Sequence, residues 1–308
     1  MSEMTWKTAC IASIACLLAA CGGQVTGPNA LADIAEDDAA PPVWTISDDD
    51  TTIHFFGTVH ILPPDVEWRS PAFDAAFEAA DAVYFEADTQ SANAQVEALS
   101  AITSTGFFTD GRTLTEVLDD AEEKEVVEAL DILGAPIASF NPQKPWLAGL
   151  NLQSMFAIAR GYETDAGVEV VLTKDAEAAG KPLRFLEGVA EQIGILAGIP
   201  EDDQIAFLVA SAISIEDEPE ALDLLVAEWA EGDIDALSAM VADVDAFGAQ
   251  EVYDALLTTR NENWTGQVEA LLDDEAGTFL IAVGAAHLVG PDSLPAMLRA
   301  RGYEVEGP

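Results

Sequence analysis

The chain has 308 residues, of which 12 are Lys or Arg and 56 are Asp or Glu, giving a formal net charge of −44. Holding a phosphate backbone takes clustered Lys and Arg, so a nucleic-acid partner is excluded. Half of the residues are apolar and only 22% are charged, so enough surface is buried on folding to offset the ordering entropy, and an unfolded acidic coil is excluded as well.

At the N-terminus, Lys7 precedes the apolar run Thr8 to Ala20, TACIASIACLLAA. That length suits the roughly 7 to 15 residues of a secretory core segment and falls short of the roughly 18 that a membrane span needs. Residues 1–21 are therefore expected to be an export signal. The end of the run, Leu18-Ala19-Ala20-Cys21-Gly22, resembles the lipobox of bacterial lipoproteins, whose Cys takes a lipid and becomes the mature N-terminus. This resemblance implies lipidation at Cys21. Because Gly22 rather than Asp follows, it also implies an outer-membrane address facing the periplasm. Cys10 and Cys16 lie in the segment to be removed, so a disulfide framework, a Cys nucleophile and Cys-ligated zinc are excluded for the mature domain. Residues 22–42, GGQVTGPNALADIAEDDAAPP, have the composition of a flexible tether. From residue 43 to residue 308 no repeat or low-complexity break appears, and a single domain is expected.

Within that domain, Trp44 to Ile46 and Thr52 to Phe56 flank the turn-forming Ser47-Asp48-Asp49-Asp50 and predict a β-hairpin. Ser70-Pro71 supplies an N-cap and a first-turn proline for a helix with Phe73, Phe77 and Ala80 on one face. Ala82 to Phe85 reads as a short buried strand. Residues 91–159 read as a helical insertion, broken at Gly134-Ala135-Pro136 and Asn141-Pro142. Pro182 to Leu186 is expected to be another strand, and Gln204 to Met240 returns to helices separated by acidic turns. Thr278 to Val283, TFLIAV, is nearly continuous in apolar residues, as expected of a central strand covered on both faces. Strands alternating with helices predict an α/β fold with a mixed or mostly parallel central sheet flanked by helices.

Two of the three histidines share one context, Gly57-Thr58-Val59-His60 and Gly284-Ala285-Ala286-His287, each after an apolar strand. A Gly there permits a sharp turn and a close approach of backbones, and the His is delivered to the carboxyl end of the sheet, where open α/β sheets bind ligands. Two further predicted strands end in carboxylates, Glu86 and Glu187. Two imidazoles with carboxylate suit a divalent ion such as Zn, Mn, Co or Fe, which lowers the pKa of bound water toward neutrality, while a second carboxylate takes the proton. His54 falls mid-strand and is read as structural. Arg260, in TTRNENW ahead of an amphipathic helix bearing Val268, Leu271 and Leu272, is a candidate to bind a substrate carboxylate or a developing oxyanion, with Asn261 as a second donor. An ion pair is its alternative role. Trp146 and Trp264 are read as packing residues.

Together these segments resemble the TraB/GumN family, which is related to the Tiki metalloproteases. The resemblance runs from Trp44 to Val305 through FFGTVHILPP, YFEAD, KPWLAGL, GYETDAGVE with Gly167 and Glu169, PLRFLEG, TTRNENW and VGAAHLVGPDSLPAMLRARGY. Tiki proteins carry two GxxH motifs and act as metal-dependent proteases with Mn or Co implicated. The resemblance therefore implies His60 and His287 as ligands, with Glu86 and Glu187. The wider superfamily includes erythromycin-esterase-like hydrolases and haem-binding lipoproteins, so fold analogy alone leaves the reaction open. The resulting expectation is a lipid-anchored metallohydrolase acting on a peptide or small-molecule substrate, peptide bonds first. His60, His287 and one carboxylate, Glu86 in first place, would hold the ion, and the other would be the general base. A haem- or metal-binding envelope protein without catalysis and a non-catalytic assembly factor stand as the alternatives.

Overall fold

The computed structural model describes residues 40–308, so the expected export signal, Cys21 and the expected tether up to residue 39 lie outside the described residues. Six strands form one sheet: β1 (Val43–Ser47), β2 (Thr51–Thr58), β3 (Ala82–Phe85), β4 (Leu183–Phe185), β5 (Gly277–Gly284) and β6 (Val305–Glu306), in the spatial order β4-β3-β5-β2-β1-β6. β4, β3, β5 and β2 run parallel, and β1 and β6 are antiparallel additions at one edge. The domain is thus α/β with a mixed sheet flanked by helices.

Local chemistry accounts for the elements. The β1–β2 turn closes because the Asp48 carboxylate accepts the Asp50 and Thr51 backbone N–H groups at 3.1 and 2.8 Å. The side chain of Ser70 accepts the Phe73 N–H at 3.1 Å and starts the helix Pro71–Ala79, a cap that stabilises by about 1 kcal/mol. β5 lies between β3 and β2, and its Leu280, Ile281, Ala282 and Val283 are fully buried. Each large aliphatic so buried contributes about 1.5–3 kcal/mol, which is why this nearly continuous apolar run takes the central position. His54 faces Thr45 across the hairpin, Nδ1 to Oγ1 at 2.9 Å, in keeping with a structural role.

The helical insertion has an apolar core of its own around Leu130, Leu152, Phe156 and Leu208. It is not confined to residues 91–159, because the helix Glu201–Asp217 packs into the same cluster through Ile205, Leu208, Ala212 and Ile215. Those residues recur at helical spacing and need a covered face, which the helices Asp120–Ile132 and Pro145–Ala159 supply.

Register decides what the sheet presents at its carboxyl end. Gly57 pairs with Val283 and Thr58 with Gly284, so β2 and β5 end level and both GxxH segments leave the sheet side by side. Gly57 is still within β2, and a Cβ there would sit 3.0 Å from the Ala285 Cα. Its missing side chain is what lets the second GxxH turn lie against the first.

Candidate functional site

His60 is buried just beyond β2, in a loop held by the start of the helix Val168–Ala178, whose Val168 N–H donates to the Val59 carbonyl at 3.0 Å. Gly167 makes this approach possible, since a Cβ at that position would overlap the His60 carbonyl oxygen. One residue into the helix, Glu169 faces the imidazole, with His60 Nδ1 at 2.6 Å from Glu169 Oε1. The Thr58 hydroxyl donates to the same oxygen.

His287 closes a short 3-10 turn after β5 and is completely buried. Its Nδ1 lies 2.7 Å from Asn261 Oδ1, and the Asn261 amide nitrogen donates to the Asp292 carbonyl at 2.8 Å. Asn261 Oδ1 is therefore an acceptor, so Nδ1 of His287 carries the proton and Nε2 presents a lone pair. That lone pair meets Arg260 Nη1 at 3.0 Å, and Nε2 stands 3.7 Å from Glu86 Oε1. Burial, seconded by Arg260, lowers the imidazole's pKa to about 3, so it is neutral over the physiological range.

Glu86 directly follows β3, where the Gly284 N–H donates to its Oε1 at 2.7 Å and Gln192 Nε2 to its Oε2 at 3.0 Å. Burial by itself would raise its pKa. The Arg260 guanidinium, with the two imidazoles and the Gly284 N–H, outweighs burial and brings the carboxyl down to about 2. Glu187, two residues past β4, accepts Arg260 Nη2 at 2.6 Å and Nε at 3.2 Å. There burial outweighs the guanidinium and the carboxyl's pKa is raised.

Arg260 joins these groups. It lies inside the helix Thr259–Asp274, one residue past its start rather than ahead of it as expected, after a π-helical turn, Asp254–Thr258. Wider turns of this kind recur at functional sites. Here Arg260 Nη1 donates to the Leu256 carbonyl of that turn at 3.0 Å. Nη2 bonds Glu86 at 2.5 Å as well as Glu187, so every N–H of the guanidinium meets an acceptor within the protein. As arranged, Arg260 and Asn261 hold other site groups instead of offering a donor to a substrate. Trp264 is buried as expected of a packing residue, and it also places its ring 4.6 Å from the Arg260 Cζ and 4.5 Å from the His287 ring. Trp146 packs in the core.

A cavity of about 440 Å³ opens onto this cluster, with His60, Glu86, Glu169 and Arg260 in its wall. His287 and Glu187 stand behind that wall. Glu169 and Gly167 belong to a motif the sequence displayed, GYETDAGVE, yet their pairing with His60 was not legible. The signal was the Gly-Val-Glu at a helix start, the pattern of a backbone approach followed by a carboxylate.

The donor types, imidazole and carboxylate, are those that suit a divalent ion. Both imidazoles have Nδ1 facing an oxygen, as metal-bound histidines do, but the Nε2 of His287 accepts from Arg260 Nη1 at 3.0 Å. Buried carboxyl groups outnumber the guanidinium three to one. The strand-end donors approach one another in pairs, with the guanidinium between them. Among the described residues the trio of acidic or imidazole atoms within 4.8 Å of one another is Glu125, Glu128 and Glu216, a surface cluster already met by Lys124 at 2.6 and 3.1 Å; the expected ligands His60, His287 and Glu86 do not form such a trio.

The chain belongs to the TraB/PrgY/gumN family, whose sequence profile matches residues 42–307. It is 25% identical to the uncharacterized protein YbaP of Escherichia coli K12 over 250 residues, 80% of this chain and 87% of YbaP. It is also distantly similar to metalloproteases: 24% identical to TIKI2 of Danio rerio over 82% of this chain, and 25% identical to human TIKI1 over 86% of it. The chain spans 58% and 61% of those two proteins. No solved structure matches the chain.

Proposed function

We propose that this protein is a metal-dependent hydrolase of the bacterial envelope, acting as a peptidase. The observation that carries the reading is the pair of GxxH imidazoles, each with Nδ1 facing an oxygen, set beside an excess of buried carboxyl groups where His60, Glu86 and Glu169 line a cavity. The similarity to proteins named metalloproteases supports it. His60, His287 and Glu86 are the residues that would hold a divalent ion, of Mn, Co, Zn or Fe. Such an ion, when bound, polarises a carbonyl and makes a nucleophile of water near neutral pH.

The remaining roles follow from the residues themselves. Glu169 lines the cavity beside His60, so it is the carboxylate placed to act as general base. Glu187 lies behind the guanidinium and fixes Arg260. Arg260 in turn keeps Glu86 ionised. In this reading Cys21 carries the lipid and residues 22–42 tether the domain to the outer membrane, facing the periplasm.

Metal analysis by mass spectrometry tests the proposal. The purified protein is expected to hold about one Mn, Co, Zn or Fe per chain, lost in His60→Ala and in His287→Ala together with cleavage of a peptide library. A protein that binds no such ion after reconstitution, or keeps it in both variants, would overturn the assignment. An ion retained without cleavage of peptides or small esters would make it a binding protein.

A further inference from the structure

Among the described residues β4 is the outermost strand at its side of the sheet, pairing with β3 and with no strand beyond it. The pairing shows which way its backbone points. The Val83 N–H donates to the Pro182 carbonyl at 3.0 Å, and the Leu186 N–H donates to the Phe85 carbonyl at 3.0 Å. A parallel ladder uses alternate residues, so 182, 184 and 186 face β3, and the N–H and C=O groups of Leu183 and Phe185 face outward. Side chains alternate in the same way. Arg184 is on the far face, bonding the Tyr84 hydroxyl at 2.6 Å and Glu275 at 2.7 Å. Leu183 and Phe185 are on the near face and line the same 440 Å³ cavity as His60 and Glu86, with Phe185 39% exposed. This stretch thus has outward backbone groups, an exposed aromatic and a direct route to the cluster. Its surroundings are acidic: Asp88 and Glu177 line the cavity beside Lys174, on a chain of net charge −44.

We propose that an extended peptide docks as an added strand along the outer edge of β4 and runs into the cavity, with apolar residues at alternate positions along β4 and Lys or Arg where it enters the cavity. Main-chain bonds to Leu183 and Phe185 supply register, and the side chains of these two residues meet every second residue of the peptide. Charge complementarity with the acidic wall selects Lys or Arg where the peptide runs on from β4 into the cavity. The cleavage that would follow rests on the peptidase reading, whereas the docking mode does not.

The test uses His60→Ala protein, so that binding is read apart from cleavage, and the decapeptide KVKVKVKVKV as probe. Fluorescence anisotropy is expected to show saturable binding, and hydrogen exchange is expected to slow at the Leu183 and Phe185 amides. N-methylation of alternate peptide nitrogens should weaken binding at least tenfold, and the EVEVEVEVEV counterpart should not bind. Phe185→Pro removes one outward N–H without touching the ladder to β3, and it should weaken binding more than Phe185→Ala does. Binding indifferent to N-methylation, or protection elsewhere than β4, would overturn the proposal. Wild-type protein assayed on small esters and on the same peptide separates the two claims. Ester cleavage without peptide binding sinks the docking mode and leaves the hydrolase, and binding at β4 without any cleavage does the reverse.

Discussion

Replacing Arg260 with methionine keeps much of the side-chain bulk but leaves Glu86 and Glu187 buried without their guanidinium. Both carboxyl groups are less than 10% exposed and both bond Nη2. Removing one partner of a buried ion pair costs about 3–5 kcal/mol, because the remaining charge is uncompensated. In a domain of this size that corresponds to a fall of roughly 10 °C in Tm. The loss has a pH signature. In the native protein Glu86 titrates at about 2. Without Arg260, burial raises its folded pKa above the unfolded value, so stability of the variant is retained at low pH and lost as pH rises through that folded pKa. Thermal unfolding at pH 7.5 and pH 4.5 should therefore show the larger deficit at pH 7.5. Adding Glu86→Gln and Glu187→Gln to the methionine variant should recover much of the deficit by removing the stranded charges. A deficit below about 1 kcal/mol at pH 7.5, the size of an exposed pair, or one equal at both pH values, would refute the reasoning.

Glu169→Gln should lower peptide hydrolysis by about 100- to 10,000-fold, the scale of a general base, with Tm little changed; a fall under tenfold by steady-state kinetics would remove Glu169 from that role. Gly167→Ala should destabilise by about 1–3 kcal/mol, read as a lower urea midpoint, because the new Cβ overlaps the His60 carbonyl oxygen and pushes the helix Val168–Ala178 off the loop. Stability should decline as pH falls from the ordinary imidazole pKa of 6.5 toward 3, because the unfolded chain takes up a proton that buried His287 refuses until about pH 3. His54, also lowered by burial, acts in the same direction, and Glu187, raised by burial, opposes it. His287→Gln should flatten the slope between pH 6.5 and 4.5 in urea titrations, and an unchanged slope would contradict the burial argument.

Much of this protein is legible in the order of its residues. The apolar run Thr278 to Val283 is a central strand because a nearly unbroken apolar run of strand length needs cover on both faces, and Ser70-Pro71 starts a helix through its own hydroxyl and ring. The placing of His60, Glu86, Glu187 and His287 just past strand ends also follows from local pattern, since each stands within three residues of the end of a recognisable strand. The sequence did not reveal which groups those side chains meet. Glu86 and Arg260 are 174 residues apart, and Thr58 and Glu169 are 111 apart. No periodicity carries information across such distances. Arg260 reads locally as a solvent-facing donor, and only the packing of its helix against Glu86, Glu187 and His287 occupies all of its N–H groups. The sequence by itself determined the elements and the strand ends that bear chemistry, because propensity, capping and apolar pattern act within a few residues. The tertiary structure decided the partners, the charge state of each group and the open edge of β4, because burial and electrostatics depend on what long-range packing brings within a few ångströms.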